Sequence, residues 1–344
     1  MKKTLLPLLS LMVVLGACEK QPEYILNKDA FCGYRQELDC EDKTSFCEND
    51  VDVYACQDAD GNPITGHVVG FYSDGTKQMD CFVKNGLTQG ILHYFYPNGQ
   101  LASQAFFRNG KLHGPTKDFR ANGDLNEYTR YKNGKEHGES YALHKNGKIA
   151  IKVQSKNGKW VNSKLYDENG VLTEEHIYDR KKGDIYKHYN EHGNLIRIKY
   201  FGSDYNIVGE EHYVDGKLDG IRTKYYDDGK TKEYEESWKN GQLNGIKKRY
   251  NKDGILHQET NYEKGVRNGF DRNYFSDGSI QSEVFFVYDT KHGKEISFYS
   301  PGQLMFEMNF KYGVLDGISR EYSNDGKLES EEIYKDGKLI EKIK

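Results

Sequence analysis

The chain has 344 residues, a formal net charge of −4 and a mean hydropathy of −0.87, with 30% charged and only 36% hydrophobic residues. This composition argues against one large apolar core, and the small net charge leaves no basic footprint for nucleic acid. The 27 Tyr and 16 Phe recur in register, which argues against disorder.

The first seventeen residues predict a signal peptide. Lys2 and Lys3 precede an apolar run that closes on Leu-Gly-Ala-Cys at Cys18, and the run is too short to span a bilayer permanently. The closing tetrapeptide resembles the lipobox of bacterial lipoproteins, which implies cleavage before Cys18 and acylation of its thiol. The resemblance and Glu19 together favour a cell-envelope lipoprotein in the outer membrane, facing the periplasm or the surface. The alternative is an ordinary signal peptide in which Cys18 has no role.

Residues 18–62 predict an acidic, cysteine-rich cap and tether. An exported chain with four clustered cysteines favours disulfides, and three pairings are open. Cys81 is either unpaired or joined to the cap. Zinc is the alternative, but the cap has no Cys-x-x-Cys pair. The candidate disulfide residues are Cys32, Cys40, Cys47 and Cys56.

Residues 63–344 are periodic. Eleven glycines from Gly75 to Gly326 follow one another at spacings of 24, 24, 24, 23, 23, 36, 25, 24, 24 and 24, and ten of the eleven have an aromatic residue four positions earlier. Roughly halfway through a period comes an Asn-Gly or Asp-Gly turn, as at Asn109-Gly110. Two turns per period leave room for two short strands and none for a helix. We therefore predict an all-β fold, an extended and twisted antiparallel ribbon of about eleven hairpin repeats behind the small disulfide-rich cap.

The segment Tyr322–Lys338, with sequence YSNDGKLESEEIYKDGK, resembles the bacterial variant of the MORN repeat. The resemblance covers about residues 66–344 and implies a recognition or scaffolding role. Bacterial proteins built of this variant are commonly described as antitoxin-like or immunity-like. No shared set of binding residues can be carried over to this sequence.

The repeat becomes irregular between about residues 155 and 212. One turn there lacks its second glycine, Arg180-Lys181-Lys182 lengthens another, and the 36-residue gap contains Tyr205. One interpretation is a bulge or bend that relieves twist. The other is an insertion that projects a contact loop.

No catalytic constellation is evident, so the sequence does not predict an enzyme, a cofactor or a small-molecule substrate. His188, Glu191 and His192 come nearest to a metal spacing, but on a strand they need not share a face, and we predict no metal site. Aromatic residues outside the repeat register could instead form a partner-binding strip, or simply pair across strands. These candidates are Tyr94, Tyr96, Trp160, Tyr205, Tyr226, Trp238, Phe275 and Tyr299.

The sequence thus favours a membrane-anchored, non-enzymatic module that binds another protein, namely an immunity-like lipoprotein that neutralises a toxin in the cell envelope. The alternative is an envelope scaffold or surface adhesin that contacts lipid or glycan. Neither reading involves nucleic acid.

Overall fold

A computed structural model describes residues 24–25, 30–37, 51–58, 60–179 and 183–344. Within these ranges the regular secondary structure consists entirely of β-strands, and their assigned pairings are antiparallel. This confirms the predicted all-β class. None of the described residues forms a helix that could cross a bilayer. The predicted signal peptide, Cys18, Cys40, Cys47 and the triplet Arg180-Lys181-Lys182 lie outside the described residues.

The strands follow one another along the whole described chain. The first fifteen are β1 (Tyr24–Ile25), β2 (Ala30–Glu37), β3 (Val51–Asp58), β4 (Gly66–Phe71), β5 (Lys77–Lys84), β6 (Leu87–Phe95), β7 (Leu101–Arg108), β8 (Lys111–Phe119), β9 (Leu125–Lys132), β10 (Lys135–Glu136), β11 (Gly138–Leu143), β12 (Ile149–Lys156), β13 (Lys159–Tyr166), β14 (Leu172–Ile177) and β15 (Ile185–Tyr189). The remaining fifteen are β16 (Leu195–Phe201), β17 (Ile207–Val214), β18 (Lys217–Leu218), β19 (Gly220–Tyr225), β20 (Lys232–Lys239), β21 (Gln242–Tyr250), β22 (Leu256–Glu263), β23 (Val266–Tyr274), β24 (Ile280–Val287), β25 (Thr290–Ser300), β26 (Gln303–Lys311), β27 (Val314–Leu315), β28 (Gly317–Tyr322), β29 (Leu328–Lys335) and β30 (Lys338–Lys342).

The two predicted kinds of turn connect these strands. At the Asn-Gly turn both residues have positive φ, for example 52° at Asn109 and 72° at Gly110, as a tight hairpin requires. The other turn ends at the repeat glycine, whose N–H donates to the carbonyl of the residue three positions earlier. Gly99, for example, donates its N–H to the carbonyl of Tyr96 at 2.8 Å. The glycine and asparagine spacing therefore defines the strand boundaries.

The chain divides into two compact units. The first comprises the described residues up to Gly147 together with Ser155–Lys159, and the second comprises Lys148–Gln154 and Trp160–Lys344. Each is described separately below.

The first unit has a small apolar core between β3 and the opening repeats. Cys56 on β3 packs with Val68, Met79 and Cys81 in one buried cluster. The backbone of β3 is fixed to the hairpin turns, since the Cys56 N–H donates to the carbonyl of Gly86 at 2.6 Å. β3, which precedes the repeats in the sequence, thus packs against the first repeats.

Two of the cysteines lie in this buried cluster. Cys81 is buried and free, whereas Cys56 is disulfide-bonded and 1% exposed. Cys32 on β2 is the register partner of Cys56 on β3. The side chain of Cys32 is outside the described part, so the pairing within the cap stays a prediction.

In the second unit the 36-residue gap between Gly193 and Gly229 is filled by strands and tight turns of the sheet rather than by a projecting loop. Tyr205 occupies the place of a repeat glycine, because its N–H donates to the carbonyl of Gly202 at 3.0 Å in the same turn that Gly193 makes with Asn190 at 2.9 Å. Tyr205 lies twelve residues after Gly193 and twenty-four before Gly229. The long gap is therefore a half-repeat, consisting of β16 and its turn, followed by a full repeat.

The half-repeat exchanges the faces of the repeats that follow it. One cross-strand row runs through Glu175, Lys187, Ile198 and Glu211. Glu175 stands five residues after its repeat glycine, whereas Glu211 stands six after Tyr205. Because neighbouring residues on a strand face opposite sides, positions five and six of ordinary repeats lie on different faces. Across the half-repeat, Glu175 and Glu211 nevertheless share one face, so the repeats that follow present the opposite face. Because the half-repeat adds a single strand, it also moves each type of turn to the opposite edge of the sheet.

Candidate functional site

An aromatic cluster lies on the sheet at the half-repeat, within the second unit. Its ring contacts run from Trp160 to Tyr178 at 6.2 Å, from Tyr178 to His176 at 6.2 Å, from His176 to Tyr186 at 4.0 Å and from Tyr186 to Phe201 at 4.8 Å. Each of the strands β13 to β16 contributes one ring, and Tyr178 directly follows β14. The strand ladder therefore gathers residues that are far apart in sequence.

Hydrogen bonds hold the cluster in place. Tyr178 Oη lies 3.2 Å from Ser163 Oγ and 3.4 Å from His176 Nδ1. His176 Nε2 lies 3.2 Å from Glu174 Oε2, and the other oxygen of Glu174 lies 3.5 Å from His188 Nδ1. His176 is 5% exposed, so its ring is a structural support beneath the more exposed aromatic residues.

Tyr205 lies near this cluster, since it adds a small contribution to the effect of burial that raises the pKa values of Tyr178 and Tyr186. Its side chain is 73% exposed and its backbone has φ of +59°. A side chain is costly in this conformation, which glycine adopts freely, by about 1 kcal/mol or more. An exposed tyrosine thus replaces the residue that would fit the turn best.

Burial sets the protonation states in the cluster. It raises the pKa of Tyr186 to about 12, with smaller contributions from Tyr178 and Asp184. Burial also lowers the pKa of His176, although the carboxylate of Glu174 opposes that shift. Near neutral pH the cluster therefore presents protonated phenols around an uncharged imidazole, a surface suited to packing and hydrogen bonding rather than proton transfer.

The sequence predicted part of this site. Trp160 belongs to it and Tyr205 lies near it, while His176, Tyr178, Tyr186 and Phe201 were not among the candidates. Tyr178 and Phe201 stand eight residues after a repeat glycine, where aromatic residues recur in other repeats. Their spacing therefore suggested only regular residues of the repeated sheet. The available signal was the loss of regularity between residues 155 and 212.

The other aromatic candidates lie elsewhere. Tyr96, Tyr226 and Tyr299 donate their hydroxyls to carbonyls of the next repeat, at 2.7, 2.8 and 3.1 Å. Tyr94 packs against the core of the first unit, and its hydroxyl lies 3.0 Å from that of Tyr54.

Two candidates remain on the second unit. Trp238 Nε1 donates to Glu236 Oε2 at 3.2 Å. Phe275 is half-buried at a turn, where its N–H donates to the carbonyl of Ser279 at 2.9 Å. Neither residue contacts the aromatic cluster through a ring pair in the described part of the chain.

The histidines with the nearest metal spacing are separated by the turn. His188 faces Glu174, while His192 and Glu191 are 74% and 86% exposed on the turn with a separation of 3.6 Å. Within the described ranges no three His, Cys, Asp or Glu side chains are grouped to hold a metal ion.

The strand-and-turn geometry and the repeat spacing define an all-β repeat protein. Five segments match the family model described as the MORN repeat variant, and the chain therefore carries MORN-variant repeats in both units. The matched residues are 89–109, 218–240, 243–264, 291–312 and 315–336.

No curated protein matches the chain. Solved structures that align with it include TcdB2-TccC3 (11% identity, TM-score 0.17, 89% of this chain and 20% of that chain) and the Photorhabdus luminescens Tc holotoxin pore (11%, 0.13, 90% and 22%). This chain spans about a fifth of the length of those chains. The TM-scores are too low to support any structural or functional inference.

Proposed function

We propose that the chain is a non-enzymatic module that binds another protein through the aromatic cluster at the half-repeat. The observation that carries this proposal is Tyr205, an exposed aromatic residue at a turn position that favours glycine. Tyr288 and Tyr312 are also exposed with positive φ, so it is the place of Tyr205 at a repeat-glycine position beside the aromatic cluster that suggests a role outside folding. Tyrosine and tryptophan are also the side chains that most often anchor protein interfaces.

The cluster suits a binding role better than a catalytic one. Its imidazole is buried, bonded to Glu174 and uncharged near neutral pH. Its phenols remain protonated, so they donate hydrogen bonds rather than act as bases. A rigid set of rings beside an exposed tyrosine provides area for a partner at low entropic cost.

The finer proposal concerns the partner and the location. The lipobox-like segment at Cys18 and the MORN-variant repeats together support an envelope lipoprotein of the immunity type, anchored by acyl chains and bound to a toxin outside the cytoplasm. Binding would neutralise the toxin by covering its surface. The scaffold or adhesin alternative has no feature of the described residues that favours it over this one.

Co-expression tests the proposal. The chain is produced with each product of the neighbouring genes, and we expect one of these to be toxic in the envelope, to be neutralised by the chain and to co-purify with it. Replacement of Cys18 by serine should abolish incorporation of labelled palmitate. A chain that neither rescues growth nor forms a complex with any neighbouring product contradicts the immunity proposal.

A further inference from the structure

A cavity of about 440 Å³ opens beside β20 and β21 in the second unit. Three tyrosines form much of its wall, and cationic and acidic side chains share the rest. The tyrosines are Tyr226, Tyr234 and Tyr250. The cavity has no ring contact with the aromatic cluster in the described part of the chain, so it is a second surface feature of the same unit.

The acidic groups of the cavity are already neutralised. Glu233 lies 2.7 Å from the ammonium of Lys224, and Glu236 lies 2.7 Å from that of Lys247. Glu236 has a second cation, Arg222, at 3.5 Å. The carboxylates therefore contribute little net negative charge to the open side of the cavity.

One cation and one hydroxyl remain available. Arg249 lines the cavity, is exposed, and forms no ion pair or side-chain hydrogen bond within the described residues. Tyr234 is its direct cross-strand partner, and its hydroxyl likewise has no hydrogen-bond partner in those ranges. Burial raises the pKa of Tyr234, so this hydroxyl remains a donor at neutral pH.

A planar guanidinium and a neighbouring phenol are complementary to a carboxylate. The guanidinium offers two parallel N–H donors, and the phenol offers a third at the side. The tyrosine rings around them can pack against the methylene groups of the side chain that carries the carboxylate. His257 also lies on the cavity wall.

We propose that this cavity receives the carboxylate of a glutamate or aspartate side chain on the protein partner, with Arg249 and Tyr234 as its donors. The inference rests on the proposed protein-binding function and specifies the chemistry of one contact. The aromatic cluster supplies packing area, and the cavity requires an acidic residue at a matching place on the partner.

A peptide titration tests this chemistry without the partner. In a Trp160→Phe background Trp238 is the remaining tryptophan, and its indole donates to Glu236 on the cavity wall, so its fluorescence reports the filling of the cavity. The probe is acetyl-Gly-Glu-Gly-amide, and the matched neutral probe has glutamine in place of glutamate. We expect a saturable change with the first probe only, weakened about tenfold or more by Arg249→Gln, since hydrogen bonds to charged groups contribute about 1.5–3 kcal/mol.

Two controls make the result decisive. Arg108→Gln removes an exposed arginine of the first unit with the same change in charge and should leave the titration unchanged. Far-ultraviolet circular dichroism checks that Arg249→Gln remains folded. An absent response to the glutamate probe, or equal responses to both peptides, overturns the inference.

Inorganic phosphate at matched ionic strength separates a side-chain site from a small-anion site. If phosphate saturates the cavity and the glutamate peptide does not, the acidic-side-chain inference is wrong. A partner complex that tolerates Arg249→Gln but is lost on Tyr205→Gly overturns only this inference and leaves the proposed function standing.

Discussion

At four of the glycine turns a tyrosine hydroxyl connects one repeat to the next. Tyr72, Tyr96, Tyr226 and Tyr299 occupy equivalent positions and donate to main-chain carbonyls one repeat away, and Arg120 makes the same connection with its guanidinium. Repeat proteins depend on such contacts between neighbours because no repeat buries its surface alone. Several aromatic residues that fall outside the repeat register are therefore part of the fold.

Replacement of Tyr96 by phenylalanine should lower the free energy of unfolding by about 1 kcal/mol, because it removes one hydrogen bond of 2.7 Å and retains the ring. Chemical denaturation measures the change. Tyr312→Phe is the matched control, since Tyr312 is 68% exposed and its hydroxyl bonds no described residue. Equal effects of the two substitutions would show that the inter-repeat hydrogen bond does not stabilise the sheet.

Glu127 in the first unit should make stability depend on pH. Burial raises its pKa to about 7, and Asp118, its cross-strand neighbour, adds to the shift. The folded state therefore holds this proton where the unfolded chain releases it, and stability falls as the pH rises from about 4.5 to 7. Glu127→Gln should flatten this part of the profile and unfold at a higher temperature at pH 8, measured by calorimetry. An unchanged profile would contradict the burial of the carboxyl group.

At the scale of the strand, the second unit carries a ladder of charge on one face. A glutamate recurs at the same position in six successive repeats, and cations stand between several of them on the intervening strands. Arg320 lies 2.7 Å from both Glu307 and Glu331, and Arg272 bridges Glu259 and Glu283 at 3.2 and 2.6 Å. The six glutamates are Glu210, Glu235, Glu259, Glu283, Glu307 and Glu331.

Arg320→Gln should destabilise the chain only modestly, because ion pairs between exposed side chains contribute little to stability. The loss should shrink in 1 M sodium chloride, where screening removes most of the attraction. Urea denaturation at low and high salt measures both values. A large loss that salt does not reduce would mean that Arg320 acts through packing rather than through charge.

The repeated elements were predictable and the site was only partly so. Asn109-Gly110 and the other regular turns encode their own geometry, because positive φ selects glycine and asparagine locally. Because Tyr205 stands where other turns of this type have glycine, the glycine spacing does not reveal the turn at this position. The sequence therefore suggested an insertion or a bend. The contacts of His176 and Tyr186 arise from register between strands, which the spacing of glycines alone does not specify.

At the scale of the molecule, the half-repeat changes what each face of the second unit presents. Deletion of residues 194–205 would join Gly193 to Asn206-Ile207, which restores the local pattern of Gly193-Asn194-Leu195 and an uninterrupted period. We expect this variant to keep the circular dichroism spectrum of a β-sheet while losing partner binding, since β16 and Tyr205 are removed together. An unfolded product would contradict the view that the half-repeat is a separable addition to a regular array.

The proposed function requires that Tyr205 serves a partner rather than the fold. Tyr205→Gly supplies the residue that the turn favours, so the free energy of unfolding should stay the same or rise. Tyr312→Asn is the matched control, because Tyr312 is also exposed with positive φ but lies far from the cluster in sequence.

Calorimetric titration of the partner found by co-expression, into the wild type and both variants, is the most direct measurement. We expect Tyr205→Gly to remain at least as stable as the wild type and to bind the partner tenfold or more weakly, as for an interface anchor worth about 1.4 kcal/mol or more, while Tyr312→Asn binds like the wild type. Wild-type affinity in a stable Tyr205→Gly protein would contradict the proposed role of Tyr205.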